Sequence, residues 1–147
     1  MTPLETLAAQ QREIGEIAST LRPMLTAEQL KVQALAKIAR TLLCDLCTQM
    51  KIHLAEEDEG LYPDMLAHAD AQIKNLAWGF QSGDRPLRRQ FDEYEKRWLK
   101  DCRFSFTDEF LEQTQELLKP VDDLMKREQL VMIPQLLDSG MFPVRAA

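Results

Sequence analysis

The chain has 147 residues, 45% hydrophobic and 29% charged, with a net charge of −6 and a pI near 5.0. That length suits one domain with its own core, and the acidic balance excludes a non-specific nucleic-acid binder, which would show a basic face. No apolar run approaches the roughly 20 residues a membrane helix needs, and the polar N-terminus MTPLETLAAQQREIGEI lacks the basic-then-apolar order of a signal peptide, so a cytoplasmic protein is expected, with no nucleic-acid or membrane partner.

Apolar residues recur at steps of three and four throughout, which predicts helices and no strands. The first helix spans 3–22, with Pro3 in its first turn and a stripe of Leu4, Leu7, Gln11, Ile14, Ala18 and Leu21. Pro23 disfavours helix at Arg22 and ends it. Thr26 with Gln29 resembles a capping box. It opens a second helix running to about Leu61, ahead of Pro63, with a stripe of Leu35, Ile38, Leu42, Leu46, Met50, His53, Glu57 and Leu61.

The third segment covers 70–100 with Asp70 as its cap. Its stripe is Ile73, Leu76, Phe80, Asp84, Leu87, Phe91, Tyr94 and Trp98, and a kink or break is expected near Gly83–Pro86. The fourth covers 107–137, capped by Thr107 and kinked at Pro120. Its stripe is Phe110, Thr114, Leu117, Val121, Leu124, Glu128 and Val131. Four long amphipathic helices with short connections make an all-α, up-down-up-down antiparallel four-helix bundle. Residues 1–138 read as this single bundle and 139–147 as a C-terminal tail. Leu21, Leu42, Phe91, Leu117 and Trp98 are expected in its upper core. A homodimer through an exposed bundle face is left open, and nothing identifies another protein partner.

The phases put Gln11, His53, Glu57, Tyr94 and Glu128 on the seams, whereas Glu56, Asp58 and Glu59 fall outside and read as solvated. At about 1.5 Å rise per residue, His53, Glu57, Gln11 and Glu128 share one layer near the bottom of the bundle. Tyr94 lies higher and reads as a core tyrosine with a local hydroxyl partner. At the level of the layer the third helix offers Ile73, Leu76 and Phe80, none of which can bind a metal. An internal echo supports the layer: HLAEEDEGLYP at 53–63 and LMKREQLVMIP at 124–134 superimpose from their prolines, matching Glu57 with Glu128 and His53 with Leu124. H-x-x-x-E puts imidazole and carboxylate one turn apart on one face, a pairing suited to iron or manganese. Without metal, two close carboxylates repel and one should take up a proton. Met50 and Met125 flank the layer as core filler, and Trp78 and Trp98 read as core or interface anchors.

Nearly the whole chain, about 4–137, resembles the hemerythrin-like (HHE cation-binding) family. The carriers are LAAQQREI, HLAEEDEGLYP, FDEYEKRW and REQLVMIP, of which HLAEEDEGLYP is the specific element. The resemblance implies a four-helix bundle that typically holds two irons through about five histidines and two bridging carboxylates. Carried over by position, His53, Glu57 and Glu128 keep the metal-ligand pattern. Gln11 and Leu124 stand where histidines would be, and the third-helix histidine has no counterpart. His68, the only other histidine, sits just past the turn and reads as a surface residue. So short a set, with Gln11 as a fourth candidate ligand, makes reversible dioxygen binding improbable. It favours a degenerate site in a sensory, interaction or scaffold module that needs no cofactor. The alternative is a reduced mono- or dinuclear iron or manganese site serving oxygen, nitric oxide or redox sensing. No nucleophile–base constellation supports a hydrolase or transferase.

The three cysteines, Cys44, Cys47 and Cys102, are an odd number and read as reduced thiols. CDLC lies inside a helix rather than at an N-terminus that would activate a thiol, and zinc lacks a second Cys/His pair. Thiol titration of the denatured, unreduced protein is expected to count three free thiols; a count of one would show a disulfide.

Overall fold

The computed structural model describes residues 3–100 and 107–141. Helix α1 (Pro3–Leu21) is followed by a 3₁₀ turn and the single helical turn α2 (Ala27–Leu30). Then come α3 (Gln33–Glu56), α4 (Tyr62–Leu66), α5 (Ala71–Tyr94), α6 (Asp108–Arg127) and α7 (Ile133–Asp138). Three π turns, Glu57–Leu61, Glu95–Leu99 and Glu128–Met132, join α3 to α4, extend α5, and join α6 to α7. The result is four long rods and, among the described residues, no strand.

Side-chain contacts fix an up-down-up-down bundle. Gln10 meets His53, Asp58 meets Arg88, Arg97 meets Glu109, and Arg22 meets Asp122. Each rod therefore runs antiparallel to its neighbours, and the fourth closes on the first. Thr26, Asp70 and Thr107 each accept a backbone N–H of the following helical turn, as their positions predict. Cys44 and Cys47 are free, while Cys102 lies outside the described residues.

All six stripe residues of α1 are buried. The upper part of the second rod departs from expectation. Ile38 is 50% exposed and Leu42 half-buried, while Ala39, Leu43 and Cys47 fill the core. Three successive steps of four rotate a stripe by roughly 120°, off the buried face, whereas alternating steps of three and four hold it there. The rod also does not start at Thr26: Lys31 and Val32 interrupt it, and α3 begins afresh at Gln33. In the upper core Leu21, Phe91 and Leu117 are fully buried, while Trp98 packs half-buried and edge-to-face with Phe110, the ring centres 5.5 Å apart. Tyr94 donates or accepts a 2.6 Å bond with Thr114, the expected local partner. Trp78 is no core anchor, being 56% exposed. Helix α5 passes through Pro86, and α6 through Pro120, without a break.

The second rod also does not stop at Leu61. Proline cannot donate to the helical ladder, and its ring crowds the carbonyl four residues back. The π turn widens the coil there: the N–H of Tyr62 reaches the carbonyl of Glu57, five residues away, and Pro63 falls in the first turn of α4. The same device recurs before Pro134, where Ile133 N–H reaches Glu128. One extra residue per wide turn shifts the phase, so Met132 is fully buried and Val131, expected inside, is 41% exposed. Met132→Ala should therefore cost about 2–5 kcal/mol and Val131→Ala within about 0.5 kcal/mol. Urea melts of the two variants check this, and the reverse ranking would restore uninterrupted α phase.

Candidate metal centre

The four predicted layer residues converge. Gln11 comes from the middle of α1, His53 from the last turn of α3, and Glu57 and Glu128 each open a π turn. All four are at most 3% exposed. His53 Nε2 lies 2.8 Å and 3.1 Å from the two oxygens of Glu128 and 3.1 Å from Glu57 Oε1. One ring nitrogen carries one hydrogen, and Glu128 takes it. Glu57 Oε1 is therefore in reach of His53 yet has no hydrogen bond of its own. His53, Glu57 and Glu128 each offer one ligand atom, all within 4.8 Å of one another. Gln11 stands behind this group, donating its amide to Glu128 Oε1 at 2.9 Å.

Three further residues complete the layer. Gln10 Oε1 accepts from His53 Nδ1 at 2.8 Å, and Gln10 in turn donates to Glu56, which stays exposed as expected. This fixes the ring so that Nε2, not Nδ1, faces the carboxylates. Tyr62 Oη lies 2.5 Å from Asp84 Oδ2 and 3.0 Å from Glu57 Oε2. A phenol has one proton, so if it goes to Asp84, Glu57 must itself donate to Tyr62. Asp84 Oδ1 is buried without a partner. The expectation that the third helix brings only apolar side chains to the layer is thus corrected. Helix α4 carries the second rod five residues beyond Leu61, raising His53 and Glu57 by roughly 7 Å relative to Asp84. Asp84 already stood in the third-helix stripe; Tyr62 enters only because the π turn brings residue i+5 over Glu57. Met50 and Met125 are buried filler beside the layer. His68 lies past the turn, accepting from Asp70 N–H at 3.0 Å.

The electrostatics follow from burial. Burial alone would lower the His53 pKa, but the hydrogen bonds and charges of Glu128 and Glu57 outweigh it and hold the ring protonated up to about 10. Glu57 is pushed above the carboxylate range by burial and by Glu128, against the pull of His53. Asp84 is pushed up chiefly by burial. One imidazolium thus faces three buried carboxyl groups, and a proton on Glu57 relieves part of the excess, as repulsion between close carboxylates requires.

A family model described as Hemerythrin HHE cation binding domain matches residues 2–136. No curated protein and no solved structure matches the chain. The residues present do not fit a histidine-rich dinuclear centre, since the layer holds one imidazole. They do fit one ion: ligands at about 2.1 Å from a metal in neighbouring octahedral positions stand about 3 Å apart, close to the His53–glutamate distances. A nitrogen with several carboxylate oxygens suits iron or manganese.

Each of the three groups keeps its proton in the folded state to higher pH than in the unfolded chain. Their stabilisation is full at low pH and is lost as pH rises through the folded values. The melting temperature of chelator-treated protein should therefore fall steadily from pH 6.5 towards pH 10; a flat profile would show that the cluster holds no excess protons.

Proposed function

Since this chain belongs to the hemerythrin HHE cation-binding family, we propose that it is a metal-responsive module that takes one divalent ion of the iron or manganese class. It is not a dioxygen carrier. The observation that carries this reading is the convergence of three carboxylate oxygens from two helices on His53 Nε2. That nitrogen must hold either a proton or a metal, because a bare lone pair facing carboxylates would be repelled.

With the proton gone, Nε2 offers its lone pair to the same point at which Glu57 and Glu128 aim. Gln10 keeps the ring in that tautomer through Nδ1–H, the outer support that metal-binding histidines require. Tyr62 and Gln11 steady the two carboxylates, and His53, Glu57 and Glu128 are themselves at most 1% exposed. A bound iron or manganese would supply a redox-active or Lewis-acidic centre. Complete burial and the absence of further imidazoles support a sensory or regulatory role over turnover of a large substrate.

A second reading has its own support. Gln11, Tyr62 and His53 already satisfy most of the acceptors by hydrogen bonds. Such a layer can serve a metal-free scaffold, and deleting one partner would cost about 1–3 kcal/mol. Thermal melts of wild type and His53→Ala, each with chelator and with Fe²⁺ or Mn²⁺, separate the two. At a free metal concentration 100 times Kd, the single-ion reading expects the wild-type melting temperature to rise by roughly 5–10 °C, with one ion per chain and no rise in the variant. Equal melts with and without metal in wild type would leave the scaffold reading.

A further inference from the structure

The layer is sealed on most sides, yet a cavity of about 310 Å³ reaches it from outside. It lies between the start of α1 and the first π turn, and is lined by Pro3, Leu7, Glu56, Glu57, Gly60 and Asp64. Glu56 and Asp64 are exposed, while Glu57 is 1% exposed at the inner end. Glu57 Oε1, the oxygen without a hydrogen bond, belongs to this lining residue and also lies 3.1 Å from His53 Nε2. Gly60 leaves part of the wall open: a Cβ added there meets nothing within 4 Å.

We propose that this cavity is the access route of the divalent ion, drawn in by Glu56 and Asp64 and passed to the His53–Glu57–Glu128 group by the carboxylate of Glu57. The proposal rests on the single-ion reading above. The lining suits a small hydrated cation. Exposed carboxylates raise its local concentration, the buried Leu7 and Leu61 supply apolar wall, and Glu57 is the one buried carboxylate of the lining. A divalent ion sheds water at such a handover by exchanging it for carboxylate oxygen. Because Glu57 opens a π turn, its carboxylate stands at the junction of cavity and layer.

The test uses Mn²⁺, followed on uptake by loss of the electron paramagnetic resonance signal of the aqueous ion and on release by excess chelator. Gly60→Leu narrows the route without touching a ligand. It should slow uptake and release together by about tenfold, a rise in the barrier alone, with the bound amount and Kd unchanged. Asp64→Asn should slow uptake two- to threefold at low ionic strength, and the difference should vanish in concentrated salt, where surface charge is screened by a Debye length of about 3 Å. If Gly60→Leu does not fold, the salt-dependent effect of Asp64→Asn decides alone. Unchanged rates in both variants, with Mn²⁺ bound, overturn the route and leave the single-ion reading standing. A lower affinity in Gly60→Leu also overturns it, because the cavity would then belong to the site. Failure of wild type to take up Mn²⁺ overturns both.

Discussion

The contact between His53 Nε2 and the carboxylates of Glu57 and Glu128 is the constraint on which the lower half of the bundle depends. An unpaired carboxylate in such a place would be expelled or neutralised. Glu57 and Glu128 belong to different rods, so holding both inside needs a positive centre between them, and His53 supplies it one turn before Glu57. The rest of the layer follows from what that pairing leaves unsatisfied. Gln11 serves an oxygen of Glu128 that one imidazole hydrogen cannot satisfy alone, Tyr62 reaches Glu57, and Asp84 gives Tyr62 an acceptor.

The π turns make this arrangement possible within rods that are otherwise α-helical. Two of the three, Glu57–Leu61 and Glu128–Met132, begin at a layer glutamate and end before a proline. A continuous α-helix there would lose a backbone bond at the proline and crowd its ring. The wide turn absorbs that conflict and places the glutamate where the coil is broadest. Placing an irregular turn at a polar centre is common for such single-turn insertions. It also explains why Met132 rather than Val131 packs into the core, and why Tyr62, next to the buried Leu61, reaches Glu57.

Much of this was legible in the sequence because it depends only on period and caps. The α1 stripe, the Thr26, Asp70 and Thr107 caps, and the convergence of Gln11, His53, Glu57 and Glu128 all follow from a 3.6-residue repeat and a constant rise. The failures have physical origins. Where the repeat changes at the π turns, an extrapolated stripe lands on the wrong residue, as with Val131, and a run of steps of four puts the second-rod stripe off the buried face at Ile38. Where a proline was read as a stop, the rod was made too short, and Asp84 was placed too far from Glu57 to meet it. The echo of 53–63 in 124–134 marked the two wide turns in advance, since Glu57 and Glu128 precede their prolines by the same six residues. Gln10 gave no signal at all: it lies beside the seam, and only the orientation of the His53 ring shows its use.

That echo has a geometric meaning for the assembled chain. The second and fourth rods run in the same direction on opposite corners of the square, so the chain is two similar helical hairpins related by a half-turn about the bundle axis. The two glutamates are symmetry mates facing each other across it, but the imidazole stands on one side only, because its counterpart is Leu124. Whatever cation occupies Nε2, proton or metal, is therefore a clasp between the halves rather than a brace within one. Neither hairpin by itself contains both jaws, and tension that spreads the diagonal corners must open the clasp first.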